Sequence, residues 1–344
     1  MHYLLSLLLL LTLTTCAQER TDREGLGLKG EVLAVFQYTH EPVREGAGWR
    51  AGPLQNATHE AHFFRVDGKQ IEQLYLDRDY RAFQRYVITP GSGQSESAQV
   101  YDERGKVFIE STLIYEEGRL RQQEFFFADG RRQLMEHEYA EGSDLIATVH
   151  VSKNGSPKER IEMTYQDGLP LSVTTYDRRD SMVISTVYVL DADGNPLSKT
   201  ITHSDPGLNQ HTEYTDYSYD PQGNWIERHE WEDGELLAIG KRRLYYRDEL
   251  ERALAERLPG IWSSRKEGSW IEFSADGTFT FEQDADEKPS GNWTLTDGEL
   301  LRLTPTTRDA YGGPASYQYR VLMDTFRLQL VPMMEEDFTI LEIR

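Results

Sequence analysis

The sequence predicts an all-β protein: a curled antiparallel β-meander repeat, one linker helix, and a small C-terminal up-and-down β-barrel. Three observations carry this. Gly-centred polar turns recur from Tyr101 to Tyr246, with Gly105, Gly118, Gly130, Gly142, Gly155 and Gly168 spaced by 12 to 13 residues. Between turns the chain alternates, as in Lys158 to Tyr165, where Ile161, Met163 and Tyr165 share a side with Glu159 while Lys158, Arg160, Glu162 and Thr164 take the other. One segment, Arg247 to Leu258, has a helical period instead. Its Leu250, Leu254 and Leu258 are four apart, Asp248 suits an N-cap, and Pro259-Gly260 ends it.

The chain has 344 residues, 38% of them hydrophobic and 11% aromatic, enough for two or three domains with real cores. Its formal net charge of -21 repels phosphate backbones and argues against nucleic acid as a partner. The first element in the chain is an apolar run from Leu4 to Leu13, broken by Ser6 and Thr12. A bilayer span needs about 20 apolar residues, so residues 1–15 read as an export signal peptide. The tetrad Leu13-Thr14-Thr15-Cys16 resembles the lipobox of bacterial lipoproteins. That resemblance implies cleavage before Cys16, acylation of its thiol, and the membrane as a partner; the alternative is an ordinary secretory signal with an incidental cysteine. Cys16 is the only cysteine, so an acylated chain keeps no thiol for a disulfide, a nucleophile or a Cys-based zinc site. Ala17 rather than Asp follows it, which in enterobacterial-type sorting favours the outer membrane, on either face. Residues 16–27 read as a lipid-attached polar tether.

Residues 28–246 form the repeat domain. Val32, Ala34, Phe36 and Tyr38 alternate with Leu33, Val35 and Gln37, a strand apolar on both sides that should be covered. Glu41 to His59 has Pro and Gly without period and reads as a loop. Ala61 to Val66 and Ile71 to Leu76 flank a turn at Asp67-Gly68, and Thr89 to Ser97 is a second break. Met182 to Leu190 is apolar on both faces and should be covered by another element. About a dozen sequential strands make a sheet that must curl, with edges for the N-terminal strand and the last domain to protect. After the linker helix (247–258), short strands over 259–344 are separated by turn signals at Ala275-Asp276-Gly277 and Thr296-Asp297-Gly298.

Tyr217-Ser-Tyr219-Asp220-Pro-Gln-Gly223-Asn224-Trp225 and Tyr101-Asp102 to Gly105 resemble the Tyr-Asp turn of YD-repeat (RHS-like) proteins. Leu28-Lys29-Gly30 before an alternating strand is similar to the start of such repeat lipoproteins in Bacteroidetes-like bacteria. Gly260-Ile261-Trp262, the hairpin from Phe273 to Phe279 and Gly291-Asn292-Trp293 resemble bacterial lipocalin-like domains. That second resemblance implies a barrel closed at one end by Trp262, with a candidate ligand pocket lined by Trp262, Phe273, Phe279, Trp293 and Tyr319.

No catalytic, cofactor or metal set emerges. His59-Glu60-Ala61-His62 puts its histidines three apart, where the zincin motif needs four, and reads as a solvated loop edge. His203, His211 and His229 are scattered, each near carboxylates for surface pairing. Asp191-Ala-Asp193-Gly194-Asn195 has oxygens at alternate positions but neither the Gly nor the closing Glu of a calcium loop, so turn chemistry explains it better. Glu282 to Glu287 reads as a solvated hairpin tip. Tyr214, Tyr217, Tyr219, Trp225 and Trp231 gather in one part of the repeat, as a cross-strand ladder or as a surface for glycans or polypeptides. The expectation is a lipid-anchored, non-enzymatic envelope protein of binding or scaffold type, with an envelope protein or glycan bound on the β-repeat. A carrier of a small apolar ligand in the last domain is the alternative, and an envelope hydrolase a third.

Overall fold

A computed structural model describes residues 21–90, 95–116, 119–139, 146–153, 156–166, 169–247, 258–263, 270–282, 290–296, 300–305, 317–323, 328–332 and 341–343. The expected signal peptide, Cys16 and most of the expected linker helix lie outside them. The chain clusters into two units, residues 1–78, 84–101 and 107–244, and residues 79–83, 102–106 and 245–344.

The repeat forms β1 (Val32–Glu45), β2 (Gly48–Leu54), β3 (His59–Phe64), β4 (Gln70–Leu76), β5 (Ala82–Pro90) and β6 (Ser95–Asp102). It continues as β7 (Val107–Glu116), β8 (Arg119–Phe127), β9 (Arg132–Tyr139), β10 (Ile146–Lys153), β11 (Ser156–Gln166) and β12 (Leu169–Asp177). The last five are β13 (Met182–Leu190), β14 (Pro196–His203), β15 (Gln210–Tyr219), β16 (Trp225–Glu232) and β17 (Glu235–Tyr246). The region expected to be a loop, Glu41 to His59, is a hairpin: β2 pairs with the outer half of β1 and β3 with its inner half. β2 and β3 therefore act as one return strand. From β3 onward sequential strands pair, and β17 pairs with β1. This closes a 16-strand barrel. The expected open meander is corrected here: edges are abolished by pairing first strand to last, which leaves no unpaired backbone row to protect.

Of the expected turn glycines, Gly118, Gly142, Gly155 and Gly168 lie outside the described residues, and the described Asp-initiated turns share one geometry. At Asp220 to Asn224 the Asp220 N–H donates to the Asn224 carbonyl (2.9 Å), Gly223 N–H donates to Asp220 O (3.0 Å), and the Asp220 carboxylate accepts from the Gln222 and Asn224 amides. The same bonds recur at Asp102 to Lys106 and at Asp191 to Asn195. The fourth residue has φ near 84° in Gly223, and at Asp177 to Ser181 it is Asp180, at φ 62°. Asp and Asn reach this region more readily than other side chains, which is why that turn lacks Gly and hides from a Gly-based count. The Asp191 carboxylate is engaged by three donors of its own turn, including the Asn195 side chain, as turn chemistry requires.

Register places one continuous face inward: Leu113 opposite Gln123, Gln123 opposite Met135, Met135 opposite Val151, and Ile161 opposite Val149. On β5 to β12 these inward side chains make a single buried cluster, with Leu120, Phe125, Val149 and Met163 at 0% exposure. An open cylinder of this strand number would enclose a water-filled lumen; this half is filled by side chains instead. The outward rows are polar, among them Glu136, His150, Arg160 and Tyr176 on successive strands, and Glu162, Thr174 and Ser185. β13 is a correction, because Val187 and Val189 face outward at 43% and 53% exposure. Both faces are buried instead on β1, β3 and β4.

The part of the expected tether (16–27) that lies among the described residues, 21–27, is corrected from a tether to a docked, folded segment. Helix α1 (Asp22–Gly25) is closed by a capping box between Thr21 and Glu24. Its Arg23 N–H donates to Gly68 O (3.1 Å), and the Asp22 carboxylate accepts the Gln70 N–H (2.7 Å), so it docks on the β3–β4 turn. Lys29 docks on the β15–β16 turn through reciprocal bonds with the buried Asn224 side chain, 2.7 and 2.9 Å. Burial pushes the Asp22 carboxyl up to about 6, against the Gln70 bond, with Glu96 adding to the rise. The folded state thus binds this proton more readily than the unfolded chain, and the stability it contributes is present below about pH 4 and lost as pH rises through 6. Asp22→Asn keeps an acceptor for Gln70 without the charge. It should unfold above the wild-type temperature at pH 8, by at most about 3 kcal/mol and less to the extent that water reaches the site, with the gap closing below pH 4. A gap independent of pH in thermal melts would refute this.

The second unit contains an eight-stranded meander, β18 (Gly260–Ser263), β19 (Trp270–Phe273), β20 (Thr278–Glu282), β21 (Ser290–Thr296), β22 (Leu300–Pro305), β23 (Tyr317–Met323), β24 (Leu328–Pro332) and β25 (Leu341–Ile343). Among the described residues β25 does not pair with β18, so the expected lipocalin-like barrel is corrected to an open sheet.

Candidate functional site

The other arc of the barrel interior, on β13 to β17 and β1, differs in chemistry. Inward positions there hold Tyr188 and Lys199 as cross-strand partners, then Thr212, Tyr214, Arg228, Glu230 and Glu232. Two bulges assemble them. Tyr214 and Tyr217 are three apart and would point to opposite faces of a regular strand, but the register shifts between Thr215 and Ser218, where Asp216 has φ 51°, and both turn inward. A second shift between Ser218 and Tyr219 does the same for Trp225 and Arg228.

The Arg228 guanidinium lies 4.2 Å from the Tyr214 ring centre and 4.4 Å from that of Trp225, and donates from Nε and Nη2 to Glu230 Oε1 (3.0 and 2.9 Å). Arg242 covers Trp225 at 3.9 Å and donates from Nε to Gln37 Oε1 (3.2 Å). Gly240, opposite Arg228, makes the room: a Cβ there would sit 3.0 Å from Glu230 Oε1. Cation–π contacts reach about 2 kcal/mol where water is excluded. Burial, and then the Arg228 charge, push Arg242 down to about 9, and burial lowers Lys199 as well. Burial raises the Tyr214 and Tyr217 hydroxyls, and Tyr217 donates to Pro196 O. Tyr219 stacks on Tyr217 with ring centres 5.9 Å apart and is 45% exposed at the strand end.

Of the aromatics singled out in the sequence, Tyr214, Tyr217, Tyr219 and Trp225 therefore meet. Trp231 does not: it lies on the outer face, its Nε1 donating to Thr215 Oγ1. Arg228, Glu230, Arg242 and Lys199 were missed, although each is a charge at a position where the alternation calls for an inward side chain. His59 and His62 are corrected from a loop edge to a buried strand, on opposite faces. His59 Nδ1 accepts the Thr39 N–H, and His62 pairs with Glu60 and Gln70. His211 pairs with Glu213 on the surface as expected; His229 lies 3.0 Å from Asp216 but is only 12% exposed, and His203 instead accepts the Asp205 N–H at its Nδ1.

In the second unit, Phe273 and Phe279 are buried cross-strand partners, and Trp293 packs edge-on to Phe273 at 6.0 Å. Trp262 sits opposite Ile271 and Tyr319 opposite Leu301, register positions that share this face; their side chains lie outside the described set. Trp293 Nε1 donates to Ser274 O, tying the hairpin together. Packing accounts for these contacts. Among the described residues no group of three or more His, Cys, Asp or Glu converges as metal ligands do.

No protein-family model and no curated protein matches the chain. Among solved structures it is similar to a porin-like protein from Bacteroides uniformis, at 10% identity and TM-score 0.40, covering 63% of this chain and 97% of that one. A porin-like protein from Bacteroides vulgatus gives 12% identity and TM-score 0.38, covering 63% and 98%. A TcdB2-TccC3-Cdc42 structure gives 12% identity and TM-score 0.26 over 86% of this chain and 17% of that one. Likenesses this distant leave the function to be argued from the barrel's own chemistry.

Proposed function

We propose that this chain is a non-enzymatic binding or scaffold protein of the bacterial cell envelope, held at the membrane by acylated Cys16 and presenting its barrel to an envelope protein or glycan. The observation that carries this reading is the polarity of the barrel. Membrane-spanning barrels turn an apolar band outward and a polar lumen inward; this one packs Phe125, Met135 and Met163 inside and sets Glu136, Arg160 and Glu162 outside. Such a barrel lives in water, and a membrane address must come from the acyl anchor rather than from the strands. The anchor also sets orientation. The described residues begin at Thr21, and the five steps from Cys16 reach at most about 18 Å. The barrel end carrying the β3–β4 and β15–β16 turns then faces the bilayer.

Cys16→Ser tests the anchor. The wild type should fractionate with membranes and resist carbonate extraction, whereas the variant should appear folded in the soluble fraction. Unchanged retention of Cys16→Ser would overturn the reading.

A further inference from the structure

We propose that Arg242 and Arg228 form an oxyanion-binding site inside the barrel, which takes a compact carboxylate, phosphate or sulfate group. This goes beyond the envelope reading and does not depend on Cys16.

The interior is unevenly filled. Among the described residues the centre of β5 to β12 is buried and apolar on its inward face, whereas Lys199, Arg228 and Arg242 on the same face are partly exposed and charged. The charged groups of the interior are thus concentrated on this arc. From it project cations whose counter-charges are spoken for or distant. Glu230 is bound by Arg228 at 2.9 Å, and Glu60 is bound by His62 at 3.1 Å. Glu232 stands opposite Thr212 and is felt by Lys199. Among the described residues no carboxylate lies within ion-pair distance of Arg242, whose one protein acceptor is Gln37, through Nε. Its terminal nitrogens, the planar fork that grips oxyanions in pairs, have no hydrogen-bond acceptor among the described residues.

A guanidinium placed in this way costs stability unless it gains a partner. Stacking on Trp225 holds it rigidly but supplies no charge. Gln37 fixes Nε and so aims the fork. Arg228, held against both Tyr214 and Trp225, is pre-oriented over the same indole. Two cations on one aromatic plate repel each other, which adds to the depression of Arg242; an anion bound between them removes that repulsion and the desolvation cost together. The stacked pair of Tyr217 and Tyr219 carries the aromatic wall out to the rim, a surface suited to the ring of an acidic sugar. A purely structural role would leave the fork equally content in chloride.

The test uses the full chain with Cys16→Ser, purified from the soluble fraction, at constant ionic strength with chloride as the replacement. Acetate, phosphate, sulfate and glucuronate are titrated separately, read by the thermal midpoint and by tryptophan fluorescence, since Trp225 lies under both guanidiniums. At least one oxyanion should raise the midpoint saturably by several degrees, and the affinity should fall at least tenfold in Arg242→Gln. Arg131→Gln, a surface control paired with Asp129, should respond like the parent. Glucuronate stronger than acetate identifies an acidic sugar; phosphate or sulfate alone identifies the inorganic group or its esters. If Arg242→Gln fails to fold, Arg242→Lys retains charge without the fork and should show the same loss. No saturable response to any of the four, or equal responses in parent and Arg242 variants, would overturn the site.

Discussion

Glu72→Ala should destabilise the repeat unit by about 3–5 kcal/mol, a large part of the 5–15 kcal/mol that holds typical domains together. Arg85 Nε donates to Glu72 Oε1 at 2.7 Å, and the two side chains are 6% and 2% exposed. They sit on β5 and β4, where the sheet is buried on its outward face as well as its inward one. Truncating the carboxylate takes from the buried Arg85 guanidinium the acceptor of its Nε, beside the Tyr101 ring at 5.7 Å. The cost lies in removing one half of a buried ion pair rather than in the bond itself, so Glu72→Met with Arg85→Met should recover part of the loss. Urea unfolding followed by far-UV circular dichroism measures both. A single-variant loss under about 1 kcal/mol would mean that water reaches the pair.

The strands and turns of the repeat were legible because each is a local matter. Alternation in Lys158 to Tyr165 reports one wet and one packed face, and Asp with Gly three residues on reports a turn whose bonds all lie within five residues. Closure was not legible, since pairing β17 with β1 joins residues some two hundred apart and leaves no mark on either strand beyond apolar content on both sides of β1. Met182 to Leu190 shows the converse failure. Its β-branched residues meet the needs of a pleated strand, and Val187 and Val189 stay exposed, so an apolar run was read as burial when it reflected strand preference. The candidate site fell between these cases. The aromatics were visible as a cluster, but which of them meet depends on the bulges at Asp216 and after Ser218, and a single extra residue swaps faces. That is why Trp231 is lost from the cluster and Arg228 gained.

Phe125→Ala and Thr112→Arg should separate sharply, and together they decide which side of this barrel meets water. Phe125 is fully buried within the inward cluster, and its removal should cost about 3–5 kcal/mol. Phe126, the next residue, is 37% exposed with the Arg132 guanidinium 5.0 Å from its ring centre, and Phe126→Ala should cost less than about 1 kcal/mol. Thr112 faces outward beside Glu124. In water, Thr112→Arg should change stability by no more than about 0.5 kcal/mol, and the nearby carboxylate makes a small gain the expected sign. On a lipid-facing surface the same arginine would cost about 2–4 kcal/mol near the bilayer midplane. A tolerated Arg at position 112 with an intolerant Phe125 fixes the apolar side as the interior. The opposite pattern, in which outward substitutions abolish folding in detergent-free buffer while Phe125→Ala passes unnoticed, would make the strands themselves the membrane anchor and remove the need for Cys16.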